Sequence, residues 1–200
     1  MAVDDVIHQI LPLLPTKSAV RMSCLSKQWQ AVWFSLSILD FDEGDPAHDS
    51  DNKLEKLQHT NFINILDRYC RNAKNKKLLE KFRLRMTTFS IVRDSVVVNK
   101  CLSFAVGRSL KELDISLRPK HRPFLCCLSL QTLLDAKSLT TLSLEFVRIK
   151  VDDNTSYYLE TLPSLKSLSL KSVQLISEAL SLLVSGCPSI EYLSLCSCTF

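Results

Sequence analysis

Three glycines in two hundred residues leave no phosphate-cradling loop, and G-x-x-x-x-G-K-[ST] does not occur. G-x-S-x-G and H-E-x-x-H are missing too. His8, His48, His59 and His121 are dispersed, none with a cysteine or serine nucleophile beside it in a motif, so each reads as a surface residue. No apolar run approaches the ~18 residues of a membrane span. Neither sign of charge dominates: the net of +4 is spread over interleaved acids and bases. That is too mild for the concentrated basic face of a nucleic-acid binder. Asp4 and Asp5 stand where a signal peptide carries lysine or arginine, so the chain reads as intracellular, cytoplasmic or nuclear. No catalytic residue, cofactor, nucleic acid or membrane is expected.

Cysteine is plentiful, eight in all, but its pattern is not that of a disulfide framework. Most of these cysteines sit among apolar residues, where a free thiol behaves as a small hydrophobe. Cys187, Cys196 and Cys198 cluster without a second C-x-x-C pair or a nearby histidine, so no metal site is expected.

A recurring stretch organises the chain. Leu165-Lys166-Ser167-Leu168-Ser169-Leu170 is repeated downstream at Ile190–Leu195 and upstream at Leu139–Leu144, Leu110–Ile115 and, more loosely, Leu79–Leu84. The central apolar positions are 82, 113, 142, 168 and 193, steps of 31, 29, 26 and 25 residues. An L-x-x-L-x-L core at such a period predicts an α/β leucine-rich-repeat solenoid with a parallel sheet and irregular repeats. A sixth stretch of this kind, Leu125–Leu130, falls too close to its neighbours for a full repeat and reads as a connecting strand or irregular segment on the convex side.

The first forty residues do not follow the repeat. Val3, Val6, Ile7, Ile10, Leu11 and Leu14 recur at helical spacing, with Pro12 ending the helix near Gln9–Leu11. Thr16 and Ser26 are candidate caps for two further helices, the last carrying Trp29 and Trp33. Three short helices cannot enclose so many large apolar side chains, and the uncovered face marks a partner site or a cap closing the solenoid.

The run Asp4-Asp5-Val6-Ile7-His8-Gln9-Ile10-Leu11-Pro12-Leu13-Leu14-Pro15-Thr16-Lys17-Ser18-Ala19-Val20-Arg21, followed by Leu25-Ser26-Lys27-Gln28-Trp29 and Trp33, resembles the F-box of the plant F-box/leucine-rich-repeat family. The resemblance implies a small all-α three-helix F-box over about residues 1–40. It also implies docking on the small adaptor subunit of a cullin–RING (SCF) ubiquitin ligase, with Ile7, Ile10, Leu11, Leu14, Pro15, Leu25 and Trp29 as docking or supporting residues. Ala2-Val3 replace the Leu-Pro that usually opens the box, and Gln28 replaces the usual arginine. One buried leucine is worth ~1.5–3 kcal/mol, so the first change implies weaker adaptor binding.

Asp40 to Asp51, with six acidic residues, Gly44 and Pro46, reads as a linker, 41–52. A helix over about 52–72 follows, then a basic stretch, Arg68–Arg85, that is either a solvated connection or a landing site for an acidic partner. In the repeat domain, 53–200, about five strands are expected. A helix from about Arg93 to Val106 should bury Val96, Val97, Cys101, Leu102 and Ala105 and stop at Gly107. Ser177 should cap a helix that Gly186 ends in a left-handed conformation. A solenoid that stops on a strand lacks its terminal cap, so the chain reads as cut short relative to that family.

Side chains alternate across a strand, so residues between the inward leucines form the concave face. Its candidate substrate-binding residues are Lys81, Arg83 and Arg85; Glu112 and Asp114; Thr141, Ser143 and Glu145; Ser167, Ser169 and Lys171; and Tyr192. The face reads as basic beside the head, acidic next, then lined by small hydroxyls. The function this implies is that of a non-enzymatic substrate-recognition subunit whose repeats hold a target protein. The alternatives are a leucine-rich scaffold uncoupled from any ligase, and a truncated dominant-negative form.

Overall fold

Alternation of leucine with polar residues becomes a parallel sheet whose inner side is continuous hydrocarbon. The computed structural model describes residues 3–14, 16–44, 52–73, 78–119, 125–151 and 161–200. Six parallel strands lie side by side: β1 (Ile38–Asp42), β2 (Lys81–Phe89), β3 (Glu112–Pro119), β5 (Thr141–Glu145), β7 (Ser167–Lys171) and β8 (Tyr192–Cys196). Their register stacks Leu39, Phe82, Leu113, Leu142, Leu168 and Leu193 in one rung. Phe41, Leu84, Ile115, Leu144, Leu170 and Leu195 form the next. From β1 to β7 these side chains are buried; on the edge strand β8, Leu193 and Leu195 are 44% and 42% exposed.

The strand β1 straddles the expected boundary between head and linker. Residues 38–42 read as the end of the head and the start of an acidic linker, but they pair with β2 and bury Leu39 and Phe41. The sheet thus has one strand more than the repeat count, and residues 45–51 of the linker lie outside the described part.

Helices cover the inner side: α4 (Asn52–Asn72), α5 (Ile91–Val106), α6 (Leu130–Leu134) and α7 (Ser177–Ser185). His59 meets Asp94, Lys100 lies 3.6 Å from Asp67, and the Cys70 and Cys101 sulfurs are 2.8 Å apart, so α4 and α5 run side by side in the same direction. The buried stripe of α5 differs from expectation: Val96 is 61% exposed, while Asp94, Val98 and Phe104 are buried.

A second sheet turns each repeat. β4 (Cys126–Ser129) pairs in parallel with β6 (Val147–Lys150), and bridges carry the ladder on through Gln174 to Thr199. Leu125–Leu130 is therefore a connecting strand entering α6, as its spacing suggested. The chain passes from the first sheet to the second through Phe146, Ser172 and Ser197, all left-handed at φ 56°, 51° and 53°. Gly186, expected to be left-handed, has φ −76°, and Ser177 is the first residue of α7 rather than its cap. The left-handed geometry belongs to the strand corners, where no glycine marks it. The Ser172 N–H also donates to the Cys196 carbonyl at 2.8 Å. Proline fixes φ near −65° and has no N–H, so Ser172→Pro is expected to cost ~3 kcal/mol or more. Urea unfolding of that variant checks it; a midpoint equal to wild type would refute the corner's role.

Candidate functional site

Two surfaces and one buried polar cluster hold the side chains able to recognise a partner or move a proton. The first surface is the head, built from α1 (Val3–Ile10), a 3-10 turn (Leu11–Leu13), α2 (Thr16–Ser23) and α3 (Lys27–Ser35). Pro12 stops α1 where expected, and the Ser26 hydroxyl caps α3 by accepting from the Trp29 amide at 3.3 Å. Ile7 and Leu11 are fully inside. Leu14 and Trp29 pack partly buried against the core, and Pro15 lies outside the described residues. Ile10 and Leu25 are 40% and 65% exposed, and Leu13 is 82% exposed. Leu13 was not among the sequence candidates. Its signal was that it falls off the buried 7–11–14 spacing yet is still a leucine.

The second surface is the concave face. All twelve sequence candidates stand on its strands, in three rungs: Ile38-Lys81-Glu112-Thr141-Ser167-Tyr192, then Asp40-Arg83-Asp114-Ser143-Ser169-Ser194, then Asp42-Arg85-Ser116-Glu145-Lys171-Cys196. The basic row of β2 lies between acids of β1 and β3, and the charges pair laterally. Lys81 reaches Glu112 at 2.6 Å. Arg83 is shared between Asp40 at 3.1 Å and Asp114 at 3.0 Å. Arg85 lies 3.7 Å from Asp114. β1 was missing from the sequence reading, so the face looked more basic beside the head than it is.

Further along, the Ser116 hydroxyl donates to Glu145 at 2.7 Å and Lys171 reaches Glu145 at 2.8 Å. Burial pushes the Glu145 carboxyl up, but these two donors and the charges of Lys171 and Arg118 outweigh it and hold the group below its usual range. A trough of about 430 Å³ follows the C-terminal ends of the strands, from Asp42 and Gly44 past Arg85, Ser116 and Arg118 to Glu145 and Lys171.

The buried cluster was not foreseen. His59, read as a surface residue, is clamped between Glu43 just after β1 and Asp94 on α5. Its Nδ1 donates to Glu43 Oε1 at 2.6 Å and its Nε2 to Asp94 Oδ2 at 3.0 Å. The Thr87 amide donates to Glu43 at 2.7 Å, the Thr88 hydroxyl to Glu43 at 3.0 Å, and the Ser90 amide to Asp94 at 2.6 Å. The hydrogen bonds to Asp94 and Glu43 raise His59 to about 9 against the opposing pull of burial. Burial pushes Glu43 up, yet His59 and Thr87 outweigh it and hold it low. An imidazolium with both nitrogens committed to carboxylates has no free lone pair for general-base work. The cluster is a clamp joining α4, α5, β2 and the end of β1.

Comparison with known proteins places both halves. A family model described as "FBD-associated F-box protein At5g56370, LRR repeats" matches residues 98–200, and the F-box domain model matches residues 3–41. The chain is 34% identical over 199 residues to "Putative FBD-associated F-box protein At5g56690" of Arabidopsis thaliana, covering 96% of this chain and 45% of that protein. It is 34% identical over 196 residues to "Putative FBD-associated F-box protein At5g56700" of the same plant, covering 96% and 44%. With "F-box/FBD/LRR-repeat protein At5g22700", also from Arabidopsis thaliana, identity is 30% over 195 residues, covering 96% and 39%. The chain thus spans less than half the length of these relatives.

Proposed function

Because the chain belongs to the plant F-box/leucine-rich-repeat family, we propose that it is a substrate-recognition subunit of an SCF-type ubiquitin ligase, working in the cytoplasm or nucleus. In this reading the head holds the adaptor subunit and, through it, a cullin. The concave face holds a target protein, and the chain performs no chemistry of its own.

The observation that carries the reading is the exposure of Ile10, Leu13 and Leu25 on a head otherwise packed into the fold. Large aliphatics left in water beside a well-filled core mark a surface that a partner covers. Amphipathic helices presenting such anchors are a recurrent mode of recognition between proteins. Ile7 and Leu11 act from inside, fixing α1 and the 3-10 turn that present Ile10 and Leu13, and Trp29 of α3 packs partly buried behind the turn that presents Leu25.

Binding of the purified chain to a recombinant plant adaptor subunit tests the proposal. The wild type should bind, and Leu13→Glu or Leu25→Glu should each weaken binding by ~10–100-fold, the equivalent of ~1.5–3 kcal/mol per buried leucine. Both positions are exposed, so the thermal midpoint should not move. A folded wild type without affinity, or variants that bind equally well, would reject the assignment.

A further inference from the structure

The concave face is nearly neutral in sum but not in distribution, and its imbalance selects a partner chemistry. Arg83 sits between Asp40 and Asp114, and Lys81 is held by Glu112, so the charges over β1–β3 are largely spent on one another. At the other end of the trough two cations share one acid. Lys171 pairs with Glu145, whose second oxygen already accepts from Ser116. Arg118, projecting near the end of β3, faces the same carboxylate only through its longer-range field and lies over the Phe146 ring at 5.9 Å. Among the described residues it has no carboxylate within ion-pair distance. The Lys171 side chain is 59% exposed while Glu145 is 21% exposed, so an incoming group meets the cations first.

The opposite pole is Asp42 on β1, whose carboxylate accepts from the Gly44 amide and has no cation partner among the described residues. Beneath the basic pole the floor is small, with Ser143 on β5 and Ser169 on β7 in the rung where β2 and β3 carry Arg83 and Asp114. β5, over which the basic pole sits, is three strands from β1, about 14 Å at the usual strand spacing. An extended chain covers that distance in about four residues.

Resting on the reading of this face as the substrate surface, we propose that the trough receives an extended peptide segment of the target. Its acidic side chain seats between Arg118 and Lys171, and a basic side chain about four residues away reaches Asp42. The complementarity is one of position: an anion placed over Arg83 or Lys81 would find carboxylates already there. The small hydroxyls of Ser116, Ser143 and Ser169 along the trough let the peptide backbone approach closely.

A display library of random nine-residue peptides panned on the full chain tests this. Peptides retained by the wild type and released when Ser143→Arg and Ser169→Arg fill the trough should be enriched in Asp or Glu by up to about five-fold over the input. That is the ratio a rim-exposed ion pair supports. The double variant Arg118→Gln/Lys171→Gln should retain peptides without that enrichment, and Lys81→Gln should keep it. Both sites are exposed, and an unchanged circular dichroism spectrum and thermal midpoint certify the fold. Trough-dependent peptides with no acidic enrichment, or with enrichment that survives the double variant, overturn the proposal while leaving the substrate surface intact. Retention that the blocked trough does not reduce overturns the surface as well.

Discussion

Replacing His59 by leucine is expected to remove ~3–5 kcal/mol of stability, because Glu43 and Asp94 would then be buried near each other without their cation. The Asp94 side chain is 1% exposed and that of Glu43 9%, so water cannot substitute for the imidazolium. The same clamp gives the wild type a pH signature. His59 is raised from 6.5 unfolded to about 9 folded. A raised base contributes fully below its unfolded value and loses that contribution as pH climbs through the folded one. Stability should therefore decline between pH 6.5 and about 9, by about 3 kcal/mol in total.

Glu43 acts on the acid side with the opposite sign. Its folded value is held below 4.5, so its contribution is present above pH 4.5 and is lost as pH falls through the folded value. Burial pushes the Cys126 and Cys187 thiols up to about 12 and about 11 from an ordinary value of 9, and their losses begin only above pH 9. The window from 6.5 to 9 thus isolates His59. Urea midpoints at pH 5.5, 7.5 and 9 should fall in that order for the wild type and stay level for His59→Leu. A variant retaining the wild-type slope would show that another group titrates there.

The strands were legible because hydrocarbon burial at period two writes itself directly into L-x-L: Leu168 and Leu170 have to be apolar, and Ser167 and Ser169 do not. Every rung of the concave face from β2 to β8 follows from that alternation. β1 carries the same alternation, with Leu39 and Phe41 inward, but its outward residues are Asp40 and Asp42. Those acids merge with the acidic run behind them and hide a five-residue strand inside an apparent linker. The missing strand then distorted the reading of charge, since Asp40 is half of what neutralises Arg83. On α5 the run Val96-Val97-Val98 offers apolar residues at every helical phase. Pattern alone could not say that Val98 faces in and Val96 out.

The clamp was illegible for a different reason. Its partners are 16 and 35 residues from His59, and nothing local distinguishes that histidine from a solvated one on a polar helix face. The strand corners at Phe146, Ser172 and Ser197 likewise recur with the repeat, yet no glycine announces them.

Tyr69→Ala is expected to cost ~3–5 kcal/mol and, beyond that, to uncouple the head from the repeats. Tyr69 is fully buried on α4 at the centre of an aromatic knot. Its ring stands edge-on to Trp33 of α3 at 4.6 Å, 5.5 Å from Phe34, 5.6 Å from Phe41 of β1 and 5.9 Å from Phe104 of α5. Tilted and edge-to-face pairs of this kind add ~0.5–1.5 kcal/mol each beyond area burial. The knot is where the surface proposed to hold the adaptor is fixed relative to the surface proposed to hold the target. Both tryptophans, Trp29 and Trp33, lie on α3, so their fluorescence reports the head and its seat on α4, whereas far-ultraviolet circular dichroism is dominated by the repeats. In the wild type the two thermal transitions should coincide. In Tyr69→Ala the fluorescence transition should fall first, while Tyr69→Phe, which keeps the ring contacts, should keep them together. Transitions that stay coincident in the alanine variant would mean that the strand pairing of β1 with β2 alone couples the head to the solenoid.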